Sequence, residues 1–540
     1  ASTRMKLNLA LSAIALLSQA LLLEGHLFSS CTDGSSGGKV DNLLIVRADK
    51  ASLTTSEKLA ISTYSGYLAR TSPQLALVTK PEDLAWLNTI SETTTDSNSL
   101  DDVLSMLPCD KCTYVLCEIG SNSTSAGISF ASASKDPVIV ATSDEVVTVL
   151  EAHGITMNLN LTDTSDDAFW ALDQSDLVFS NHVSILQNVN NPVPLSDLSV
   201  KCGALNWWGE GDCEKDPQLP SLPARALNLL TPGESVVLGW GGGDDPEWDC
   251  VHASTSYGSF GMIATDQAIN AGVLNIDAES VGLTPQKRKP AAPQDPDESP
   301  KHTISFVMSD GDNVQWILND WSAETGNNGW WSSEDRGKVK MGWTLSPSLG
   351  SLAPTVLKAI LDGATENDQI IAGPSGAAYA FVNDFPDDAT FDAFSAETSY
   401  LMDMAGMRIV NVLNDEGWAE STKNLLEQDN IDGVFLYEYN GYSELEGAIS
   451  FVNNKPVVGG RFNLWSPNFY NVTTLVTALA ELPNLTDITS SDGYTVIPVH
   501  AWSHNVTDIV EAAQLLEEDG RFDIVLPEEL LRRVAENVIQ

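Results

Sequence analysis

The chain has 540 residues, 43% of them hydrophobic, and sets 28 Lys plus Arg against 74 Asp plus Glu, a formal charge of -46. So much apolar material excludes wholesale disorder, and the length exceeds what one core supports, so two domains are expected. The acidity repels polyphosphate and anionic lipid, which excludes nucleic acid as a partner and any membrane association beyond an N-terminal anchor.

Arg4 and Lys6 precede the apolar run Leu7 to Leu23, and Ser18-Gln19-Ala20 offers small residues for cleavage. Residues 1–23 therefore read as a signal peptide or a signal anchor, and the protein as secreted or extracellular via the secretory pathway. Six cysteines, Cys109, Cys112, Cys117, Cys202, Cys213 and Cys250, precede the middle of the chain, and Cys31 leaves the count odd. In an exported protein they imply disulfides; Cys109-x-x-Cys112 alone also suits a redox pair or half a zinc site. Sequons at Asn122, Asn160, Asn471, Asn484 and Asn505 fit a glycoprotein.

Asn42 to Arg47 reads as a buried strand, and Ser56 to Arg70 as a helix capped by Ser56. Leu75 to Val78, Tyr114 to Cys117, Val138 to Val140 and Val236 to Trp240 are further short strands, with helices such as Asp144 to His153 between several of them. Residues 41–284 thus predict a layered α/β N-terminal domain. Pro285 to Pro300, with five prolines and no apolar period, predicts a linker.

From Lys301 to Gln540 the pattern is regular. Strands are expected at Thr303 to Met308, Val339 to Thr344, Gln369 to Ala372, Arg408 to Leu413, Gly433 to Leu436, Pro456 to Gly459, Thr495 to Val499 and Asp523 to Leu526. Helical patterns follow most of them: Val314 to Trp321, Ala353 to Ala364, Asp392 to Ala405, Ser421 to Gln428, Val472 to Leu482, Val506 to Glu518 and Pro527 to Val538. The fifth unit has only the short connection Glu444 to Asn453. Eight strand-helix units predict an α/β fold with a C-terminal (β/α)8, TIM-like barrel; an open doubly wound sheet is the alternative.

Working residues in such barrels gather at the carboxyl ends of the strands. Those ends carry Asp310, Asp312 and Asn313, then Tyr379, Glu416, Tyr437 with Glu438 and Asn440, Arg461 with Trp465, and His500 with Trp502. Carboxylates flanked by Trp and Tyr suit a sugar, because aromatic faces stack on its CH groups and paired acids supply glycosidic acid/base chemistry. Asp310, Asp312, Glu416 and Glu438 are the catalytic candidates, and the others the substrate-binding ones. Each has a plainer reading. Asp310 to Asn313 suits a turn or helix cap, or calcium held by hard oxygens, the only cofactor the pattern suggests. Glu416 suits a loop surface, Glu438 an ion pair with Arg461, His500 and Trp502 simple packing, and the Trp207-Trp208 and Trp330-Trp331 pairs a core.

The string Ser305-Phe-Val-Met-Ser-Asp-Gly-Asp-Asn-Val-Gln-Trp316 resembles the GxGYxYP family of candidate glycoside hydrolases, supported by Leu436 to Trp465, Val499-His500-Ala-Trp502 and Glu247 to Asn275. The resemblance implies an N-terminal α/β domain, a barrel-like C-terminal domain and carbohydrate as the substrate class. The naming motif is degenerate: Gly376 to Val382 keeps the first glycine and tyrosine but has Phe381 and Val382 where the family has tyrosine and proline. The expected function is a secreted glycoside hydrolase acting on a polysaccharide or glycan. The alternative is a non-catalytic carbohydrate-binding or cell-surface protein, and calcium-dependent adhesion is a third reading.

Overall fold

A computed structural model of the chain describes residues 27–28, 31, 39–209, 213, 221–242, 246–283, 300–322, 330–414 and 419–538. The leader and all of the proline-rich segment except Pro300 lie outside the described residues, as does Glu416.

Before residue 284 the chain forms three small parallel sheets. Val40–Arg47 lies between Leu75–Val78 and Ser91–Ser97; Thr113–Leu116 lies between Val138–Ala141 and Thr156–Asn160; Val183–Leu186, Val236–Gly239, Leu205–Trp207 and Met262–Ala264 make the third. The fully buried strands are unbroken apolar runs, as burial on both faces requires. Helix Thr55–Ala69 is capped by Thr54, not Ser56: the Thr54 hydroxyl accepts from the Glu57 N–H while Glu57 reaches back to the Thr54 N–H. Two sequon asparagines, Asn471 and Asn505, likewise cap helices Val472–Ala480 and Val506–Asp519.

Three disulfides join Cys31 to Cys202, Cys109 to Cys112 and Cys213 to Cys250. Cys31 therefore has a partner, and the unpaired cysteine is the buried Cys117. The Cys109-Cys112 pair being bonded leaves no half zinc site. No helix among the described residues is long and apolar enough to cross a membrane.

After residue 300 one large sheet dominates. Its parallel strands run Gly433–Glu438, Ile409–Asn414, Asp368–Ala372, Met341–Leu345, His302–Met308 and Tyr494–Val499 in space, with Lys455–Gly459 beside Gly433–Glu438. Isolated bridges Gly460↔Val496 and Leu464↔Val499 bring the chain after the sixth strand against the seventh, so the sheet curls. An open, doubly wound sheet would leave these ends apart.

The regular eightfold barrel needs correction at two places. The fifth connection holds no helix; strand Ile449–Val452 turns back antiparallel on Lys455–Gly459. The eighth strand, Phe522–Ile524, pairs with His302–Ile304, beneath the pairing of Phe306–Met308 with Met341–Trp343. The seventh strand already occupies the other edge of the first over Thr303–Met308, which leaves no slot between them. The helix after the first strand is also short, Val314–Ile317, because Trp321 leaves it to enter a buried cluster with Trp331 and Trp343. Trp207 and Trp330 are buried in the core too.

One apolar core spans both parts of the chain, from Leu43, Val236 and Phe260 to Phe306, Trp343 and Phe394. Polar contacts tie them as well: the Trp86 indole N–H donates to the Leu318 carbonyl at 2.9 Å, and the Asn275 amide to the Ser351 carbonyl at 2.7 Å.

Candidate active site

Strand His302–Met308 is buried along its whole length, and the chain turns sharply where it ends. Asp310 takes a left-handed φ of 67°, and Gly311 lies hard against the second strand. Its N–H donates to the Thr344 hydroxyl at 3.0 Å, and its carbonyl accepts from the Ser346 N–H at 2.9 Å. A Cβ on residue 311 would stand 1.6 Å from the Thr344 carbonyl oxygen, so only glycine fits. This turn sets Asp310 and Asp312 on one cavity. Asp310 accepts from the Trp502 indole N–H at 3.1 Å and from the Ser309 hydroxyl. Asn313 caps the following helix, accepting from the Trp316 N–H at 3.3 Å, and also lines the cavity.

The opposite wall comes from before residue 284. Tyr379 and Met262 exchange both backbone hydrogen bonds, at 2.8 and 2.9 Å. Gly261 permits the approach, since a Cβ there would lie 2.1 Å from the Tyr379 carbonyl oxygen. The Tyr379 hydroxyl then donates to Glu247 at 2.9 Å. Glu247 sits in the first turn of helix Pro246–Ser256, where the helix dipole favours an acid. The same helix is tied to the C-terminal part by His252, whose Nδ1 lies 2.5 Å from the Asp384 carboxylate.

The cavity is about 70 Å³. Acids Glu247, Asp310 and Asp312 share it with Tyr379, Tyr437 and Tyr442, and Trp240 and Trp502 line it as well. Burial raises the Asp312 carboxyl well above the usual carboxylate range, and the charges of Asp310 and Glu247 add to this. Asp312 thereby holds its proton to a higher pH than an ordinary aspartate does. Burial, then Glu247, also raises the Tyr379 hydroxyl well above its usual value; burial, then Asp310, does the same for Tyr442. The arrangement sets one acid of raised pKa beside two further carboxyl groups on the same cavity.

Of the residues expected from sequence, Asp310, Asp312, Asn313, Tyr379, Tyr437 and Trp502 line the cavity. Others do not reach it. Glu438 neighbours Tyr437 on one strand, and successive side chains point to opposite faces. Its carboxylate instead accepts from the Glu444 N–H at 3.1 Å, and burial pushes its pKa up to about 7. Arg461 does not pair with Glu438. It donates to the carbonyls of Asp492 at 3.0 Å and Glu446 at 3.2 Å, with the Asp492 carboxylate at 3.5 Å. Asn440 is exposed. Trp465 stacks on His500 with centroids 4.3 Å apart and meets Tyr442 at a tilt at 5.0 Å, so both rings back the wall rather than form it. Burial lowers the His500 pKa, and its Nδ1 lies 2.9 Å from the Ser503 hydroxyl.

Glu247, Trp240, Asn411 and Tyr442 line the cavity and were not singled out from sequence. Glu247 and Tyr442 carried a signal, since they lie in the stretches Glu247 to Asn275 and Leu436 to Trp465 that resemble the family. Among the described residues no group of three or more His, Cys, Asp and Glu is arranged to hold a metal ion.

Residues 300–535 match the family described as "GxGYxYP putative glycoside hydrolase C-terminal domain". The crystal structure of a "putative hydrolase" from Bacteroides thetaiotaomicron is similar over 93% of this chain and 96% of that one, with 23% identity and a TM-score of 0.77. At that identity the likeness is one of fold. An allantoinase shares 10% identity over 45% of this chain and 93% of its own, with a TM-score of 0.31. A Bacillus subtilis mannanase shares 11% over 39% and 85%, with a TM-score of 0.21. Both are too distant to carry an argument. No curated protein matches the sequence. The part of the chain that carries Asp310 and Asp312 matches the GxGYxYP C-terminal domain, and the chain as a whole shares its fold with the Bacteroides protein.

Proposed function

We propose that the protein is a secreted glycoside hydrolase acting on a polysaccharide or glycan, with its acid/base chemistry in the cavity between the two parts of the chain. The observation that carries this reading is the placing of Asp312, a buried carboxyl, beside two other acids on one aromatic-walled cavity, where burial raises its pKa. Asp312 gives its proton to the glycosidic oxygen as the bond to the anomeric carbon breaks. Asp310 or Glu247 then serves that carbon, either by attacking it or by deprotonating the water that does. Trp502, 53% exposed at the rim, offers a face for the sugar ring. The family match supports the carbohydrate class, and the three disulfides fit an oxidising, extracellular setting.

The test is release of reducing ends from a panel of polysaccharides by the wild type and by Asp312→Asn, Asp310→Asn and Glu247→Gln. Turnover by the wild type and its loss of at least about 100-fold in Asp312→Asn is expected. Full turnover in Asp312→Asn would remove the assignment. Phe381 favours a second reading, a glycan-binding protein without turnover. It replaces the family's second tyrosine and is packed wholly between Trp248, Tyr379 and Tyr439, with no hydroxyl to offer. Glycan binding that persists in all three variants, without turnover in the wild type, would establish it.

A further inference from the structure

The chemistry of the cavity lining restricts the sugar it can take. Three carboxylic acids face it, and no Lys, Arg or His stands among its described lining residues. A uronate or sulfated sugar would enter against like charge with nothing to offset it. A second, independent feature concerns Tyr437. The residue is 1% exposed and lines the cavity, yet its buried hydroxyl oxygen has no hydrogen-bond partner. Buried polar atoms are nearly always paired, so an unpaired one on a residue that lines a cavity points to a place for a ligand's polar group. Around it stand the rings of Trp240, Tyr379, Tyr442 and Trp502. Aromatic faces and carboxylates together are how proteins recognise a cationic nitrogen.

We propose that this cavity takes an amino sugar whose nitrogen is free and protonated, within an unacetylated, β-linked or α-linked amino-sugar glycan. The ammonium answers the charge of Asp310 and Glu247, and one of its N–H groups donates to the Tyr437 oxygen. The inference rests on the saccharide reading above and narrows it to a cationic class.

The test uses the full chain and three probes: a glucosamine trimer, its fully N-acetylated counterpart and a galacturonic acid trimer, titrated calorimetrically at pH 6. Because the whole protein is strongly acidic, the series is run in 0.5 M NaCl, where long-range attraction is screened and only close contacts remain. The expected result is at least tenfold tighter binding of the glucosamine trimer than of the acetylated one, and no binding of the uronate. Tyr437→Phe removes one oxygen from a ring that keeps its packing, and should cut the preference several-fold; Glu247→Gln should cut it further. Equal affinity for the free and acetylated trimers would overturn the inference and leave the glycosidase reading standing. Binding of none of the three, with no turnover on the polysaccharide panel, would overturn both. Calcium alone binding tightly and displacing the glucosamine trimer would assign the acids to a metal and end the proposal.

Discussion

Replacing Gly311 by alanine tests the turn on which the whole candidate site depends. The added methyl would stand 1.6 Å from the Thr344 carbonyl oxygen and 2.2 Å from its carbon, both main-chain atoms that cannot rotate away. Relief requires the turn to move off the second strand. That movement breaks the 3.0 Å bond to the Thr344 hydroxyl and the 2.9 Å bond from Ser346. Overpacking costs about 1 to 3 kcal/mol, and each lost hydrogen bond about 1 kcal/mol. The sum is about 3 to 5 kcal/mol. A loss of this size lowers Tm by roughly 6 to 20 °C for a domain of this size. It also shifts Asp310 and Asp312 by an ångström or so, enough to cost about 100-fold in turnover. Thermal melts and urea titrations of Gly311→Ala measure the first effect, and hydrolysis or binding of the glycan found by panel screening measures the second. Thr344→Val separates the causes, because it removes the hydroxyl that accepts from Gly311 and donates to Met308 without adding the clash. A Gly311→Ala protein melting within about 2 °C of wild type, with unchanged glycan affinity, would show that the turn does not press on Thr344.

Two other perturbations have defined outcomes. The Glu438 pKa is raised to about 7 in the folded protein, so the folded state holds its proton more tightly than the unfolded chain. Its ionisation therefore erodes stability as pH rises from about 4.5 to about 7, and the penalty stays constant above that. Glu438→Gln should match wild type in melting at pH 4 and exceed it at pH 8 by about 1 kcal/mol or less, since the group is half-buried and screened; an equal gain at both values would refute the cause given. Asp384→Ala removes the carboxylate that lies 2.5 Å from His252 Nδ1. Leaving that partly buried ring nitrogen unpaired should cost about 1.5 to 3 kcal/mol in urea titrations and loosen the helix that carries Glu247, and a change below about 0.5 kcal/mol would show that the pair does not hold the two parts together.

Much of the C-terminal architecture was legible because buried parallel strands are continuous apolar runs with turn residues after them. All eight strand positions and the Asp310 to Asn313 turn follow from that pattern. Pairing order does not, because it depends on which edges are already occupied. Phe522–Ile524 reads like any eighth strand, yet the seventh has taken the edge it would need. The hairpin at Ile449–Val452 escaped for a related reason: a short apolar segment has no period long enough to distinguish it from a helical connection.

At the site, the sequence by itself determined which acids end the first strand and that they sit with aromatic residues, since a strand end and a glycine turn are local features. It could not determine their company. Glu438 lies one residue from Tyr437 but faces away, by the alternation of a strand, whereas Glu247 comes from the other part of the chain through the Met262–Tyr379 contact. Cys31 found Cys202 by the same means, a meeting of segments remote in sequence. Only the tertiary structure could decide these, because burial and neighbouring charge, which raise the pKa of Asp312, are properties of packing and not of order along the chain.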